Sequence, residues 1–400
     1  MTPGQNAPAE APVIRPANVA EAQLALRTAA GAGQALLFRG RATKSDWGYS
    51  PRTVDLVVDT REMCAVLAYE PADMTARVGA GITLLELQEV LGASGQWLPI
   101  DPPSGEHGAT LGGLIATAEP GPRTWRNGAI RDLVIGMTIV LADGTAARSG
   151  GSVIKNVAGY DLARLLYGSL GALALIAEVA IRLHPRPRAS TTVRLLVDAA
   201  SAFSVALELA GGAAEPSALQ WMDGVLLIRV EGEPKSVDAQ VDVLTRGAEI
   251  RDVECTVLEA ASQDGAWAMF RDNANGVDGD TLLHLHTLPS RLQDIASSLE
   301  SAAASAGVEA MLQSNVGRGT HSVRISNGSA AQHAALVKAW RSDLWARHKG
   351  TVSIGRRKAG VDKEVDLWGP APSALVLLQR VKHQLDPDDR CAPGRFHPWF

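Results

Sequence analysis

The residues whose types and spacing could do chemistry are concentrated in glycine-containing segments of the first half of the chain. The first of these segments is Arg39-Gly40-Arg41-Ala42-Thr43-Lys44. A glycine followed by small residues exposes backbone N–H groups that can cradle a pyrophosphate, and Arg41 or Lys44 could neutralise its charge. An ordinary loop between two strands would use the same residue types, so this segment alone does not identify a ligand.

Two further segments, residues 103–116 and 155–173, are also rich in glycine and small residues. Gly112 and Gly113 lie side by side in the second segment, where they would let a flat ligand approach the main chain. Residues 31–33 and 79–81 each contain G-x-G, but both lack the third glycine of a Rossmann fingerprint. The chain also contains no P-loop run and no G-x-S-x-G run, so these common nucleotide and nucleophile sites are disfavoured.

The second half of the chain carries fewer chemical signals. Arg318, His321 and Arg324 form a polar group that would suit a carboxylate site or, equally, a loop and an edge strand. His284 and His286 would share one face of a strand, where they could bind a metal ion or face solvent. We predict no metal site and leave the catalytic residues open, with Arg318, His321 and Arg324 as weak candidates.

The composition narrows the class of protein. The 400 residues suffice for two or three domains, and the net charge of -5 argues against a nucleic-acid partner. Cys64, Cys255 and Cys391 lack the spacing of a zinc site or an iron–sulfur centre, and we expect a reduced chain. The apolar run 165–177 is too short to span a membrane, and residues 1–16 lack a signal-peptide pattern. We therefore expect a cytoplasmic protein whose membrane association, if any, is peripheral and through partners.

Strands and helices alternate at short intervals, which indicates an α/β or α+β domain. Asn18 with Glu21, and Thr83 with Glu86, have the spacing of capping boxes and predict a helix start at each. Residues 99–131 read as a long functional loop. The predicted strands are 35–38, 54–58, 75–78, 133–141, 173–183, 192–197, 225–230, 281–286 and 322–325. The predicted helices are 18–31, 61–69, 84–92, 162–166, 202–210, 237–246, 292–306, 331–345 and 374–385.

Several short motifs follow one another between residues 108 and 172. They are Gly108–Gly113, Arg126-Asn127-Gly128, Arg131-Asp132, the turn at Gly144, Asn156–Leu162 and Gly168–Ala172. This ordered combination, over about residues 10–185, resembles the FAD-binding domain of the vanillyl-alcohol oxidase / para-cresol methylhydroxylase (PCMH) family. The closing segments 365–370, 385–387 and 393–396 resemble the ending of the FAD-binding subunit of glycolate oxidases.

The resemblance implies an α+β fold: a two-subdomain PCMH-type FAD-binding domain, an α+β cap domain and a C-terminal tail that returns to the FAD domain. The boundaries that we predict are a flexible leader at 1–12, the FAD domain at 13–187, the cap at 188–355 and the tail at 356–400. The FAD pyrophosphate would lie between the 40–44 and 108–116 loops, and the isoalloxazine would face the second domain. Because the first loop contains neither His nor Cys, we expect non-covalent FAD.

The cofactor-binding residues that the resemblance implies are distributed over both loops, the following helical region, the third segment and the tail. They are Gly40, Arg41, Ala42, Thr43, Lys44, Pro103, Gly108, Ala109, Thr110, Gly112, Gly113, Ala116, Arg126, Gly128, Asp132, Gly171, Ile176 and Arg395.

The resemblance also implies a reaction, the oxidation of a 2-hydroxy acid such as glycolate to glyoxylate with the flavin as hydride acceptor. The Gly-Asp-Gly stretch between two histidines, typical of the metal site of 2-hydroxyacid dehydrogenases in that family, is not found here. This favours one FAD-binding subunit of a glycolate oxidase or dehydrogenase complex, with a homologous larger flavoprotein subunit and an iron–sulfur subunit as partners. A self-sufficient FAD-dependent 2-hydroxyacid dehydrogenase and a non-catalytic flavin-binding assembly subunit stay open as alternatives.

Overall fold

The computed structural model describes residues 11–151, 161–348 and 350–400, which form two compact units. Unit 1 takes its residues from Met1–Pro120, Gly128–Arg186 and Ala371–Phe400, and unit 2 from Gly121–Asn127 and Pro187–Pro370. Each unit combines helices with sheet, which confirms the α+β fold class.

The strands of unit 1 form three sheets. They are Val13–Ile14 (β1), Leu36–Arg39 (β2), Leu56–Asp59 (β3), Val66–Glu70 (β4), Thr75–Gly79 (β5), Gln96–Trp97 (β6), Val134–Val140 (β7), Ala146–Gly150 (β8), Leu175–Arg182 (β9) and His184–Pro185 (β10). A small parallel sheet has the order β1-β3-β2, a larger antiparallel sheet has the order β4-β5-β9-β7-β8, and β6 pairs with β10.

The strands of unit 2 form one antiparallel sheet. They are Ala189–Leu196 (β11), Ala218–Met222 (β12), Val225–Gly232 (β13), Cys255–Val257 (β14), Thr281–His286 (β15), Glu309–Asn315 (β16), Thr320–Ser326 (β17) and Thr351–Ile354 (β18). Their order across the sheet is β14-β11-β13-β12-β16-β17-β15-β18.

The helices of both units range from single turns to five turns. They are Val19–Gly31 (α1), Leu84–Gly92 (α2), Leu111–Thr117 (α3), Thr124–Asn127 (α4), Ile130–Leu133 (α5), Leu162–Leu166 (α6), Ala199–Gly211 (α7), Pro234–Ile250 (α8), Ala260–Asn275 (α9), Leu292–Ala306 (α10), Ala330–His348 (α11), Val361–Glu364 (α12) and Leu375–Leu385 (α13). None of the helices in the described parts of the chain combines the length and the apolarity needed to cross a membrane.

Local hydrogen bonds determine where α1 and α2 begin, as the capping-box spacing predicts. The Asn18 side chain accepts from the Glu21 N–H at 3.0 Å. At α2, Thr83 Oγ1 accepts from the Glu86 N–H at 3.2 Å, and Glu86 accepts in return from the Thr83 N–H at 2.9 Å. The hydrogen bonds from the Thr83 side chain and backbone hold the pKa of Glu86 below its ordinary value.

The predicted helix over 61–69 is wrong. The chain instead makes a short 3-10 turn over Thr60–Glu62 and then enters β4, where Val66 pairs with Val78 of β5. A short apolar run such as 65–69 is compatible with a helix or a strand, because it covers too few residues to define a period. The ladder with β5 decides the conformation, and that partner is distant information that local periodicity does not contain.

Two apolar clusters support the segments around a cleft of unit 1 that is described below. In the first, Leu87 and Leu91 of α2 and Leu114 of α3 are buried with side chains of the five-stranded sheet. In the second, Leu26 of α1 is buried with Leu36 of β2 and other residues of the parallel sheet. Since each fully buried leucine contributes about 1.5–3 kcal/mol, these clusters give the cleft a rigid base.

Residues 356–370, predicted as the start of the tail, pack in unit 2. The Ile354 N–H donates to the Leu367 carbonyl at 2.8 Å, and the Leu282 N–H donates to the Arg356 carbonyl at 2.9 Å. The return to unit 1 begins at Ala371. Residues 121–127 also belong to unit 2, where Arg123 forms an ion pair of 2.6 Å with Glu231.

Candidate functional site

A cleft in unit 1 brings together segments that are far apart in sequence. Its empty volume, with the part open to solvent included, is about 1130 Å³. Its lining residues come from β2 and the loop after it, from the turn after β3, from α3, from residues 170–176 and from the tail. They are Leu37, Phe38, Arg39, Gly40, Arg41, Ala42, Thr43, Lys44, Ser45, Trp47, Thr60, Thr110, Gly112, Gly113, Ala116, Thr117, Leu170, Gly171, Ala174, Leu175, Ile176 and Arg395.

The loop after β2 approaches the start of α3 closely. A Cβ atom on Gly40 would lie 2.3 Å from Thr110 Oγ1, so only glycine fits between the two segments. Ala42 then adopts a left-handed conformation with φ 58°, which is uncommon for alanine. The loop is thus held in a defined curved shape, with its small residues on the cleft wall.

The adjacent glycines of α3 have different environments. The Gly112 N–H donates to the Ala80 carbonyl at 2.7 Å, and a Cβ on Gly112 would lie 3.0 Å from the Cβ of Ala80, so this glycine is used for packing. A Cβ on Gly113 would have only Thr110 Oγ1 within 4 Å. Gly113 therefore leaves its part of the cleft open, and a ligand can lie against its backbone.

The third glycine segment docks on the end of α3. The Gly168 N–H donates to the Ile115 carbonyl at 3.0 Å, and the Leu170 N–H donates to the Ala116 carbonyl at 2.8 Å. These bonds satisfy carbonyl groups that the end of a helix leaves without partners. They also place Leu170 and Gly171, both in the left-handed region, on the cleft wall.

Several cationic side chains lie on the cleft wall, and they differ in how closely a carboxylate offsets their charge. Lys44 is nearly buried and forms an ion pair of 3.0 Å with Glu119, whose other oxygen accepts from the Ser104 hydroxyl. Arg39 lies 3.5 Å from the fully buried Asp59. Arg41 is exposed on the wall, and its positive charge helps to lower the pKa of the Glu86 carboxyl.

Asp59 is shared by more than one cation. Arg61 donates to it at 2.6 Å, and Arg15 lies 3.6 Å away. Burial by itself would raise the pKa of Asp59, but the hydrogen bonds and the charge of Arg61 outweigh it, so that the pKa lies below its ordinary value. One buried carboxylate is thus surrounded by Arg15, Arg39 and Arg61, and of these three arginines Arg39 lines the cleft.

Twelve of the residues that the sequence implicates in cofactor binding line the cleft. They are Gly40, Arg41, Ala42, Thr43, Lys44, Thr110, Gly112, Gly113, Ala116, Gly171, Ile176 and Arg395. The remaining six, Pro103, Gly108, Ala109, Arg126, Gly128 and Asp132, lie outside its walls.

Several of these six residues have visible structural roles. Asp132 accepts from the Ala129 N–H at 2.9 Å and so caps α5, and a Cβ on Gly128 would lie 2.8 Å from the Asp132 carboxylate. The Ala109 carbonyl accepts from the Leu84 N–H at the start of α2. Arg126 lies in unit 2, where it forms an ion pair of 3.0 Å with Glu215.

Thr60 is a lining residue that the sequence does not single out, whereas Arg39 begins the first glycine segment. Arg39 ends β2 and Thr60 directly follows β3, and β2 and β3 are parallel neighbours. The carboxyl ends of parallel strands meet at one edge of a sheet, where ligands commonly bind. Pairing the two predicted strands would have been the signal that brings both residues to the site.

The polar residues singled out in unit 2 are not brought together. His321 and Arg324 are three positions apart on β17, so they point to opposite faces of the sheet. His321 is buried beside Thr287, whose hydroxyl lies 2.9 Å from its Nε2; burial, aided by His286, lowers the pKa of His321 to about 3. Arg324 instead forms an ion pair of 2.6 Å with Asp280, and Arg318 lies in the 3-10 turn before β17.

His284 and His286 share a face of β15, as their spacing predicts. Throughout the described residues, no group of three or more His, Cys, Asp or Glu side chains is arranged to hold a metal ion.

A family model described as "FAD binding domain" matches residues 11–150, which include the loop after β2 and α3. Among solved structures, an alkyldihydroxyacetonephosphate synthase superposes with a TM-score of 0.69 at 17% identity, covering 95% of this chain and 75% of that one. Unit 1 has the PCMH-type FAD-binding fold. FAD is the cofactor that this fold holds, and the resemblance noted in the sequence is confirmed at the level of the fold.

Relatives of this FAD-binding chain include proteins with named activities. Glycolate oxidase subunit GlcE of Escherichia coli is 37% identical over 190 residues, which are 47% of this chain and 53% of that protein. The chain thus matches about half the length of that relative. A D-lactate dehydrogenase of Archaeoglobus fulgidus is 26% identical over 96% of this chain and 90% of its own length.

The cleft residues fit FAD. The small residues of the loop after β2 and the open backbone at Gly113 leave main-chain surface for the pyrophosphate and for a flat ring, and the exposed Arg41 carries charge opposite to that of the diphosphate. Phe38 and Ile176 contribute apolar surface to the wall. The site therefore combines the main-chain, cationic and apolar surfaces that a dinucleotide needs.

Proposed function

We propose that the chain is the FAD-binding subunit of a glycolate oxidase or dehydrogenase complex, which oxidises glycolate to glyoxylate and passes electrons from the flavin to an iron–sulfur partner. The cleft of unit 1 supports the flavin role, and the named activities of the relatives support a 2-hydroxy acid substrate. Bound FAD would supply the hydride acceptor for this oxidation. A homologous larger flavoprotein subunit would contribute the substrate site.

The observation that carries the choice of a subunit is the placement of His321 and Arg324. A self-sufficient 2-hydroxyacid dehydrogenase needs a cation for the substrate carboxylate and a base for its hydroxyl proton, both on the same side of the substrate. These two candidates lie on opposite faces of β17, and Arg324 is engaged by Asp280. This weakens the self-sufficient alternative, whereas a non-catalytic assembly subunit stays the second candidate.

Within the cleft, we infer that Arg41 neutralises the FAD diphosphate. Lys44 also lies on the wall, but the Glu119 carboxylate at 3.0 Å already offsets its charge. A buried pair of this kind would leave an uncompensated carboxylate if the lysine turned to another anion. Arg41 is exposed and interacts with Glu86 only through its charge, so its guanidinium can turn to the diphosphate without leaving a buried carboxylate uncompensated.

We also propose that the FAD is bound non-covalently. The described lining residues include no histidine or cysteine, the side chains through which a flavin would be attached covalently. Precipitation of the purified protein with acid tests this proposal. We expect the flavin to remain in the supernatant, and yellow colour in the washed pellet would contradict the proposal.

The assignment of a subunit role is tested by flavin absorbance. The purified chain should show the flavin spectrum, and glycolate should bleach it slowly alone and rapidly with the partner subunits present. Rapid bleaching by the isolated chain would favour the self-sufficient enzyme, and no bleaching in either sample would favour the assembly subunit. The variant Gly113→Leu, which fills open cleft space, serves as the flavin-free control.

We propose a cytoplasmic location, with any association with the cytoplasmic face of the membrane made through partner subunits. Fractionation of cells with and without the partner subunits tests this. The chain should move from the membrane fraction to the soluble fraction when the partners are absent.

A further inference from the structure

The buried residue of α13 is a lysine. Lys382 is 6% exposed, and the helix has no other buried residue. An ammonium group can be buried only where oxygen atoms replace its hydration. Lys382 Nζ lies 2.5 Å from Asp386 Oδ2, 2.9 Å from the Ala172 carbonyl and 3.2 Å from the Cys391 carbonyl.

Two of these oxygens belong to the same tail segment as Lys382, and the third, the Ala172 carbonyl, adjoins the cofactor cleft. Ala172 directly follows Leu170 and Gly171, which line the cleft. Lys382 itself is not among the lining residues. The lysine thus holds one wall of the FAD site from behind, through the backbone of the third glycine segment.

Arg395 holds the loop after β2 from the same stretch of tail. Its Nη1 donates to the Trp47 carbonyl at 2.8 Å and to the Ser45 carbonyl at 3.1 Å, while its own carbonyl accepts from the Tyr49 N–H at 3.2 Å. Ser45 and Trp47 both line the cleft. Residues 382–395, here named the clamp, therefore contact the supports of two walls of the site.

The clamp is also joined to the parallel sheet. The Leu36 N–H donates to the Arg390 carbonyl at 2.7 Å, and the Ala392 N–H donates back to the Leu36 carbonyl at 2.8 Å. Arg390 Nη1 donates to the Ala142 carbonyl at 2.9 Å. Cys391 lies between Arg390 and Ala392 in the chain and is fully buried. If the clamp detached, its backbone bonds would break together and the Cys391 thiol would meet solvent.

We propose that Lys382, with Arg395, positions the FAD site, and that the clamp and the cofactor stabilise each other. A ligand that binds only the clamped form shifts the equilibrium toward that form. Loss of the clamp must then lower the affinity for the ligand by the same factor by which the ligand stabilises the clamp. FAD release then loosens residues 382–395, and loosening of these residues releases FAD. The proposal concerns cofactor retention, and it is independent of which substrate is oxidised.

The cysteines of the chain provide a direct test. Cys64 is exposed and Cys255 is partly exposed, whereas Cys391 is buried. In the full-length variant Cys64→Ser/Cys255→Ser, a thiol reagent therefore reports on Cys391 alone. We expect labelling at least about tenfold faster after FAD removal, within the usual range of coupled sites, and reversal on adding FAD. Equal labelling rates with and without FAD would overturn the proposal.

A second measurement uses Lys382→Met and Asp386→Asn, with Arg380→Met as a matched control on the exposed side of the same helix. The Asp386 carboxylate also accepts from the Arg390 and Cys391 N–H groups, so both substitutions weaken the clamp. FAD affinity, measured by flavin fluorescence, should fall about tenfold in the first two variants and stay unchanged in the control. Unchanged affinity in a folded Asp386→Asn protein, together with unchanged Cys391 labelling, would contradict the role of the clamp. A wild-type chain that binds no added FAD would instead contradict the cofactor assignment itself.

Discussion

Several glycines shape the cofactor site because they lack a side chain. Gly40 allows the loop after β2 to meet Thr110, Gly112 allows α3 to meet Ala80, and Gly113 leaves space for the ligand. Gly40 and Gly113 both face Thr110 Oγ1, at 2.3 and 3.0 Å from the added Cβ, yet only Gly113 has no other atom within 4 Å. Their roles follow from the atoms opposite each missing Cβ, which the sequence does not contain.

The substitution Gly40→Ala should disrupt the site. Its Cβ would meet Thr110 Oγ1 at 2.3 Å, so the loop must move away from α3, and we expect FAD affinity to fall by more than about tenfold, as a coupling of ordinary size would require. Gly31→Ala is the matched control, because no atom lies within 4 Å of the added Cβ. Flavin fluorescence titration measures the FAD affinity of both variants. If Gly40→Ala bound FAD as tightly as Gly31→Ala, the steric argument would be refuted.

Arg41→Met should weaken FAD binding, and the loss should shrink as ionic strength rises, because exposed charges are screened by salt. Titrations at low and high salt measure this effect. Arg188→Met, which removes a well-exposed arginine of unit 2, should leave affinity unchanged. If Arg41→Met binds FAD like the wild type at low salt, another cation neutralises the diphosphate.

At the scale of secondary-structure elements, some features are determined by neighbouring residues in the sequence and others by the strand with which an element pairs. The start of α2 is determined within four residues by the Thr83 and Glu86 capping box. The identity of β4 is determined by β5, and the separation of His321 from Arg324 is determined by the alternation of β17. Elements of the first kind were predictable from the sequence, while the others needed either the partner strand or the correct strand assignment.

Thr83→Ala should destabilise the protein by about 1 kcal/mol, because the first turn of α2 loses its cap. Urea unfolding followed by circular dichroism in the far ultraviolet measures the change. In Thr83→Ala/Glu86→Ala the two losses should not add, because the Thr83 hydroxyl donates directly to the Glu86 carboxylate at 2.7 Å and couples the two caps. Full additivity would show that the two caps act independently.

At the scale of the whole molecule, the sequence predicted the fold and the loops of the FAD site better than it predicted the long-range ties. The glycine loop at 40–44 was visible because neighbouring residues carry the pattern. The bonds from Lys382 to Ala172 and from Arg395 to Trp47 join residues that are hundreds of positions apart. No local period or motif records such contacts, so they become visible only in the folded structure.

Heating should unfold the two units in separable steps, because each has its own buried core. FAD should raise the melting temperature of one step only, that of unit 1, since a ligand stabilises the part that it binds. Calorimetry with and without FAD measures this. Leu299→Ala, a buried substitution in unit 2, should lower the other step, and a single transition shifted by both changes would contradict the prediction.

The split course of the chain also has a consequence for biosynthesis. Unit 1 draws on residues before Arg186 and after Ala371, and unit 2 is translated between them. At the usual 5–20 residues per second, the ribosome needs roughly 10–40 s to cross that interval. During this time the nascent unit 1 lacks Lys382 and Arg395. The segments that line the FAD cleft are therefore already synthesised but do not yet have their hydrogen bonds to the tail. Cofactor loading should therefore follow the synthesis of unit 2, and a nonsense mutation within residues 187–370 would yield a colourless product.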